Sequence, residues 1–395
     1  MRVMREKKKN HASIVFSDGV RWLARIPRTT SFSDVPPDLV DYLVESEYAT
    51  LKYLESLSIP APRAHGFGLA SDVGNLVGVS YILEDAMPGS PFHAYEATTE
   101  QKSRVNEQYA QFLIRLSHSP VHKACSLSPS LHPPNKNTYE EGSIASTRFL
   151  TLSPHGPYTD AVDYYTSAVN LHMDLIADGQ LYPSYPKEAY LFYGLLRDRA
   201  VPILVPTTII PHENEYSTTT TTPPENDCFY LKHVDAKGDH ILVDDEYNIT
   251  AIIDWQFAPF VPATEAFDPS LFTADMGALY AGRASGLSDD DRLLATHLSR
   301  KGRDDLAALA AGGSDGNDLV RRFHFGLASG LTRDETLDMI GAVLFLLDGG
   351  KDQQLSRAEI EEWVEEQWLQ AVADPRRDNI EELLKDLNEE KSKSV

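Results

Sequence analysis

At 395 residues and 42% hydrophobic content the chain can bury a sizeable core, which excludes a disordered tail. A formal net charge of −23 at pH 7 argues against nucleic acid or an anionic membrane surface as partner, since both would be repelled, and would attract a cationic small molecule instead. Two cysteines, Cys125 and Cys228, cannot build a disulfide framework, the basic N-terminus lacks the apolar core of a secretion signal, and no apolar run is long enough to span a bilayer; the expectation is a cytoplasmic protein.

Residues 12–16 and 20–26 alternate apolar and polar side chains around Ser17, Asp18 and Gly19, the signature of a tight hairpin. Only residues 1–11 precede it, with Arg5, Lys7, Lys8 and Lys9 and no glycine, and they read as a solvated basic tail. On the second strand Arg25 lies on the face opposite Trp22, Ala24 and Ile26. A helix should then start at Pro36, Pro37 and Asp38, with Val40, Leu43, Val44, Leu51 and Leu54 as its apolar stripe. Glu47 falls on that stripe. A carboxylate buried without a cation is costly, and Arg25 is its natural partner.

Two further strands are expected at 65–69 and 77–83, followed by the segment YILEDAMPG from Tyr81 to Gly89. A helix at 99–116, with Val105, Phe112, Leu113 and Leu116 facing inward, leads into loop-like sequence at 117–157 and helices near 158–178 and 186–198. Residues 211–227 are of low complexity and read as a surface insertion. Helices are expected at 288–310, capped by Ser288, at 317–325, at 340–347, and in the charged sequence from 357 onward, where Trp363 and Trp368 offer docking surfaces.

The most informative stretch is residues 230–258, YLKHVDAKGDHILVDDEYNITAIIDWQFA. Short strands at 228–231, 241–243 and 249–253 are separated by a polar loop at 233–240 and a turn at 244–248. A hairpin of this kind presents its loop and its exit at one end, so Asp235 and Asp254 should face one cleft with His233, Lys237 and His240 close by.

The segments H-V-D-A-K-G-D-H and I-I-D-W resemble the catalytic hairpin of the protein kinase-like phosphotransferases, and the I-D-W form points to the aminoglycoside phosphotransferase and choline kinase-like family. The resemblance implies an α+β, two-lobed protein kinase-like fold. A small N-terminal β-sheet lobe with one long helix would occupy 1–88, a larger, mostly helical lobe 89–356, and charged helices with a tail 357–395. It implies transfer of the γ-phosphoryl group of ATP, or of another nucleoside triphosphate, to a hydroxyl of a small molecule, with Mg²⁺ or Mn²⁺ as the ion.

In that scheme Asp235 is the base that orients the hydroxyl and accepts its proton, with His233 beside it and Lys237 within reach of the γ-phosphate. Asp254 holds the ion, and Arg25, paired with Glu47, stands where the family has a phosphate-binding lysine. Backbone groups near Glu84 and Ala86 hydrogen-bond the adenine, and Glu265 and Asp268 bind a substrate amine. Two positions depart from the family pattern. The asparagine expected seven residues after His233 is His240, so His240 or Asp239 is the expected accessory ligand. The glycine-rich phosphate loop expected before the hairpin has no counterpart in residues 1–11. Both departures favour an alternative, a non-catalytic pseudokinase with a binding or regulatory role, which the retained Asp235, Asp254, Arg25 and Glu47 oppose.

Overall fold

The computed structural model describes residues 2–5, 11–27, 37–130, 139–145, 155–205, 228–282, 286–313, 316–328, 330–350 and 353–393. The chain opens with strands β1 (Arg2–Arg5), β2 (His11–Val15) and β3 (Arg21–Arg25), then the long helix α1 (Pro37–Ser56), then β4 (Ala64–Gly68) and β5 (Tyr81–Asp85). These strands form one antiparallel sheet in the order β1-β2-β3-β5-β4. The basic tail is thereby corrected in part. Residues 2–5 pair with β2, Arg5 opposite Ala12, so a strand does precede the hairpin. Lys7, Lys8 and Lys9 lie outside the described residues.

α1 packs on the sheet through the predicted stripe, with Leu43, Val44, Leu51 and Leu54 buried, and Glu47 is buried with them. The strand expected at 77–83 begins only at Tyr81. The turn before it, held by hydrogen bonds around Asn75, leaves Val73 and Leu76 exposed.

The rest of the chain is mainly helical. In order it contains β6 (Ser90–Pro91), α2 (Thr99–Ser117), β7 (Ser126–Pro129), β8 (Tyr139–Gly142), α3 (Ala161–Ala177), α4 (Pro186–Leu195) and α5 (Val201–Leu204). Then come β9 (Phe229–Leu231), β10 (Ile241–Val243), β11 (Ile249–Ile252), β12 (Phe260–Pro262), α6 (Ala263–Ala266), α7 (Met276–Tyr280), α8 (Asp289–Arg300), α9 (Asp304–Ala310), α10 (Leu319–Ala328), α11 (Arg333–Leu347), α12 (Arg357–Gln370) and α13 (Arg376–Lys393). Among the described residues no helix is long and apolar enough to cross a membrane. The small antiparallel sheet followed by a larger helical part is the α+β architecture expected.

Two helical expectations change. The sequence at 117–157 holds a hairpin, β7 with β8, that α1 rests against. The single helix expected at 288–310 is broken at Gly302, whose left-handed φ of +76° ends α8 before α9 begins. Ser288 caps α8 as expected, its hydroxyl accepting from the Asp291 backbone N–H while the Asp291 carboxylate accepts from that of Ser288. The low-complexity run at 211–227 lies outside the described residues.

α12 and α13 pack on the body of the larger region. Trp368 is buried against Tyr190, and Leu383 lies over Gly179. The core runs from α1 and β5 through α2, α3, α4 and α11 to the short strands β9 to β12, so those strands are anchored at their apolar residues and free at their loops.

Candidate active site

The strands β10 and β11 pair antiparallel and are buried at Ile241, Leu242, Val243, Ala251 and Ile252, which fixes the two ends between which the polar residues lie. Two hydrogen bonds tie the loop before β10 to the segment after β11, and a third braces the loop internally. His233 Nε2 donates to the carbonyl of Ile253 (2.8 Å), the Ile253 N–H donates to the carbonyl of His240 (2.9 Å), and His240 Nδ1 donates to the carbonyl of Asp235 (2.8 Å). Gly238 permits this packing, because a Cβ there would meet the Phe92 carbonyl oxygen at 2.3 Å.

Beyond Ile253 the chain turns through Asp254, a non-glycine residue in the left-handed region at φ +66°. Trp255 anchors the turn. It is fully buried, donates from Nε1 to the Ile252 carbonyl at 2.8 Å, and sets its ring edge-on to His233. The outcome is a convergence of both aspartates on one imidazole, with Asp235 Oδ2 lying 3.5 Å from His240 Nδ1 and Asp254 Oδ2 lying 3.5 Å from His240 Nε2. In the neutral ring the proton accepted by the Asp235 carbonyl sits on Nδ1, which leaves the Nε2 lone pair facing Asp254.

Arg25 reaches the same point from β3. One guanidinium nitrogen donates to Glu47 at 2.7 Å and the other to Asp254 Oδ1 at 2.6 Å, while Glu84 stands 3.7 Å away. Burial works to lower the Arg25 pKa, but the Glu47 and Asp254 carboxylates outweigh it and hold the guanidinium charged. Burial raises Glu47 as well, against the pull of Arg25, and pushes Glu84 up to about 8, so Glu84 is the acid that keeps its proton at neutral pH. For Asp254 burial also acts upward, yet the charge and hydrogen bond of Arg25 leave it below the usual carboxylate range. Lys237 pairs with Asp235 Oδ2 at 3.1 Å, and that bond raises its pKa although burial works the other way.

Four expectations change at this level. His233 is only 4% exposed, and burial drives its pKa down to about 4; a neutral imidazole engaged at Nε2 positions the loop. Glu84 lies in the ladder between β3 and β4, and the Ala86 N–H donates to the carbonyl of Arg21, so the sheet already holds these backbone groups that were expected to face adenine. Asp239 is exposed on the turn and outside the wall of the cavity beside Asp235. Glu265 is fully buried near His324, and Asp268 accepts a hydrogen bond from Lys232, so neither stands open to a substrate amine.

The low pKa of His233 gives a pH dependence with a defined sign. The unfolded chain takes up a proton near pH 6.5 that the folded chain refuses until about pH 4, so stability present above 6.5 is lost as pH falls through this window. The full loss is roughly 3 kcal/mol for a group this buried. Melting temperatures of the wild type should fall more steeply between pH 6.5 and 4 than those of His233→Gln, which has no such group; equal slopes would contradict the assignment.

A cavity of about 440 Å³ opens next to this group, and its wall includes Asp235, Lys237 and Asp254. Sequence reasoning missed Lys232, which has no periodic signal beside His233, and the side chain of Glu84. The latter was detectable as a carboxylate inside the apolar alternation of YILED.

No curated protein matches the chain closely enough to count as a relative. Among solved structures, an ethanolamine kinase of Plasmodium vivax is 13% identical with a TM-score of 0.47, covering 88% of this chain and 81% of that one. An aminoglycoside phosphotransferase, APH(3'')-Id, of Streptomyces rimosus, solved with ADP and streptomycin, is 15% identical with a TM-score of 0.40, covering 82% and 91%. A thermostable mutant of APH(4)-Ia in ternary complex with AMP-PNP and hygromycin B is 14% identical with a TM-score of 0.43, covering 89% and 94%. Likenesses this distant decide nothing about the chain's chemistry. The model of the phosphotransferase enzyme family, by contrast, matches residues 16–265, more than half of the chain and all of the β10–β11 hairpin with its flanking loop. The chain belongs to the phosphotransferase enzyme family, which includes the aminoglycoside phosphotransferases.

Proposed function

We propose that the protein transfers the γ-phosphoryl group of ATP, or of another nucleoside triphosphate, to a hydroxyl group of a small molecule. The observation that carries this reading is the convergence of Asp235, Asp254 and Arg25 on one cleft, with a cavity opening at Asp235. Asp235 accepts the hydroxyl proton as the acceptor oxygen bonds to the γ-phosphorus. The bond from that phosphorus to the β–γ bridging oxygen breaks, and the nucleoside diphosphate leaves. Lys237, tethered to Asp235, lies beside the transferring group, and Arg25 offers its guanidinium to the phosphates. His233 and Trp255 keep both aspartates in place.

A divalent ion fits the donors present. Asp254 Oδ2 and the lone pair of His240 Nε2 stand 3.5 Å apart on the same side of the cleft, and among the described residues no third acidic, histidine or cysteine side chain completes a cluster. Such a pair holds an ion together with nucleotide oxygens rather than alone. An imidazole donor suits Mn²⁺ better than Mg²⁺. When bound, the ion supplies positive charge that offsets the charge developing on the phosphate oxygens. Against the pseudokinase alternative stand the strand that precedes the hairpin and the Nε2 of His240 beside Asp254; in its favour stands the absence of glycine from residues 1–11.

The test is ³¹P nuclear magnetic resonance of ATP with Mg²⁺ or Mn²⁺ and a panel of alcohols. A new phosphate monoester signal with matching ADP supports the reading; ATP left intact with every alcohol contradicts it.

A further inference from the structure

The cavity beside Asp235 carries information about the acceptor, on the premise that the phosphotransferase reading holds. Its wall includes three carboxylates, Asp235, Asp254 and Asp268, and three cationic side chains, Lys232, Lys237 and Arg321. Each carboxylate has an internal partner. Asp235 pairs with Lys237 at 3.1 Å, Asp254 with Arg25 at 2.6 Å, and Asp268 with Lys232, whose Nζ also donates to the Glu265 carbonyl at 2.5 Å. Arg321 is neutralised from behind by the buried Asp291 at 2.5 Å. Lys232 and Asp268 are both nearly enclosed, with side chains 11% and 4% exposed, so their pairing is not a surface ion pair that a ligand would readily exchange. The charge of −23 carried by the whole chain is therefore not focused here.

What remains of the wall is mostly apolar. It includes Phe257, Leu271, Met276, Tyr280 and Phe325, with the Tyr280 and Phe325 rings edge to face at 4.9 Å, beside the polar His233, Gln256, Ser270 and His324. An ammonium entering this space would give up its hydration, find the enclosed Asp268 already taken, and meet Lys232 and Arg321. An apolar body would gain from burial.

We propose that the acceptor is an uncharged alcohol on an apolar, ring- or chain-bearing body, and that the Lys232 ammonium permanently fills the place a substrate amine would take. Lys232 is thus a specificity-determining residue. Polycationic amino sugars and small amino alcohols are excluded by the protein's own cation.

The full-length protein with Mg²⁺ and ADP is titrated with 3-phenyl-1-propanol and with phenylalaninol, the same skeleton bearing an ammonium next to the carbinol carbon. Binding is followed calorimetrically. The neutral alcohol should bind at least about tenfold more tightly. In Lys232→Met, which exposes Asp268 to the cavity, the order should invert, and phenylalaninol should restore part of the lost melting temperature. Tyr280 is half exposed, so Tyr280→Ser should fold; it should weaken the neutral probe several-fold and leave ADP binding unchanged. Tighter binding of phenylalaninol or kanamycin by the wild type would overturn the proposal, as would failure of both alcohols to bind while Mg·ADP binds. Failure of Mg·ADP itself to bind would instead overturn the phosphotransferase reading beneath it.

Discussion

Replacement of Asp235 by asparagine is expected to lower kcat by roughly 10²–10⁴-fold, the usual contribution of a positioned general base. That corresponds to about 3–5 kcal/mol of barrier. The carboxylate is 44% exposed and pairs with Lys237 at 3.1 Å, so the isosteric amide should fit without repacking. Loss of that exposed pair should cost less than about 1 kcal/mol of stability. Steady-state kinetics and a thermal melt on the same preparation separate the two effects: a large fall in kcat with an unchanged melting temperature is predicted. Unchanged kcat would remove Asp235 from the chemistry.

Arg25→Met should be the most destabilising single change in the site. It leaves Glu47, 6% exposed on the inner face of α1, without its cation, and frees Asp254 at the same time. Removing one partner of a buried ion pair costs about 3–5 kcal/mol. Part of that returns as Glu47 takes up a proton, which its burial already favours. Urea denaturation should therefore give a loss of about 3 kcal/mol at pH 7 that shrinks toward pH 5. Arg25→Lys keeps the charge and should recover much of the stability. It should not recover full activity, because an ammonium cannot reproduce the fork that reaches Glu47 and Asp254 from two separate nitrogens. Equal stability of Arg25→Met and wild type would mean that the buried acid has another partner.

The parts of this site that were legible in the sequence share one property: they follow from burial. A carboxylate at a helical core position announced its need for Arg25, and the alternation of 241–243 with 249–253 fixed where Asp235 and Asp254 would emerge. Ser288 was legible because a cap is a local affair. What escaped depended on partners distant in the chain. Asp268 looked available to a substrate amine because nothing near it in sequence forecasts the ammonium of Lys232, 36 residues earlier. His233 resembled a catalytic group by its motif, and only the packing of Trp255 and the Ile253 carbonyl reveals its positioning role. The basic residues at the N-terminus gave no strand signal, and Arg2–Arg5 is a strand through its pairing with β2. The break between α8 and α9 lay in Gly302, a single glycine inside a helical pattern.

We propose that Asp254, held between Arg25 and His240, receives an ion-bound nucleotide. Calorimetric titration of the wild type and of Asp254→Asn with ATP, in Mg²⁺ and again in Mn²⁺, examines this placement. Saturable one-to-one binding by the wild type is expected, weakened at least about tenfold in the variant. Equal affinity in the two proteins, or no binding by either with both ions, would contradict it.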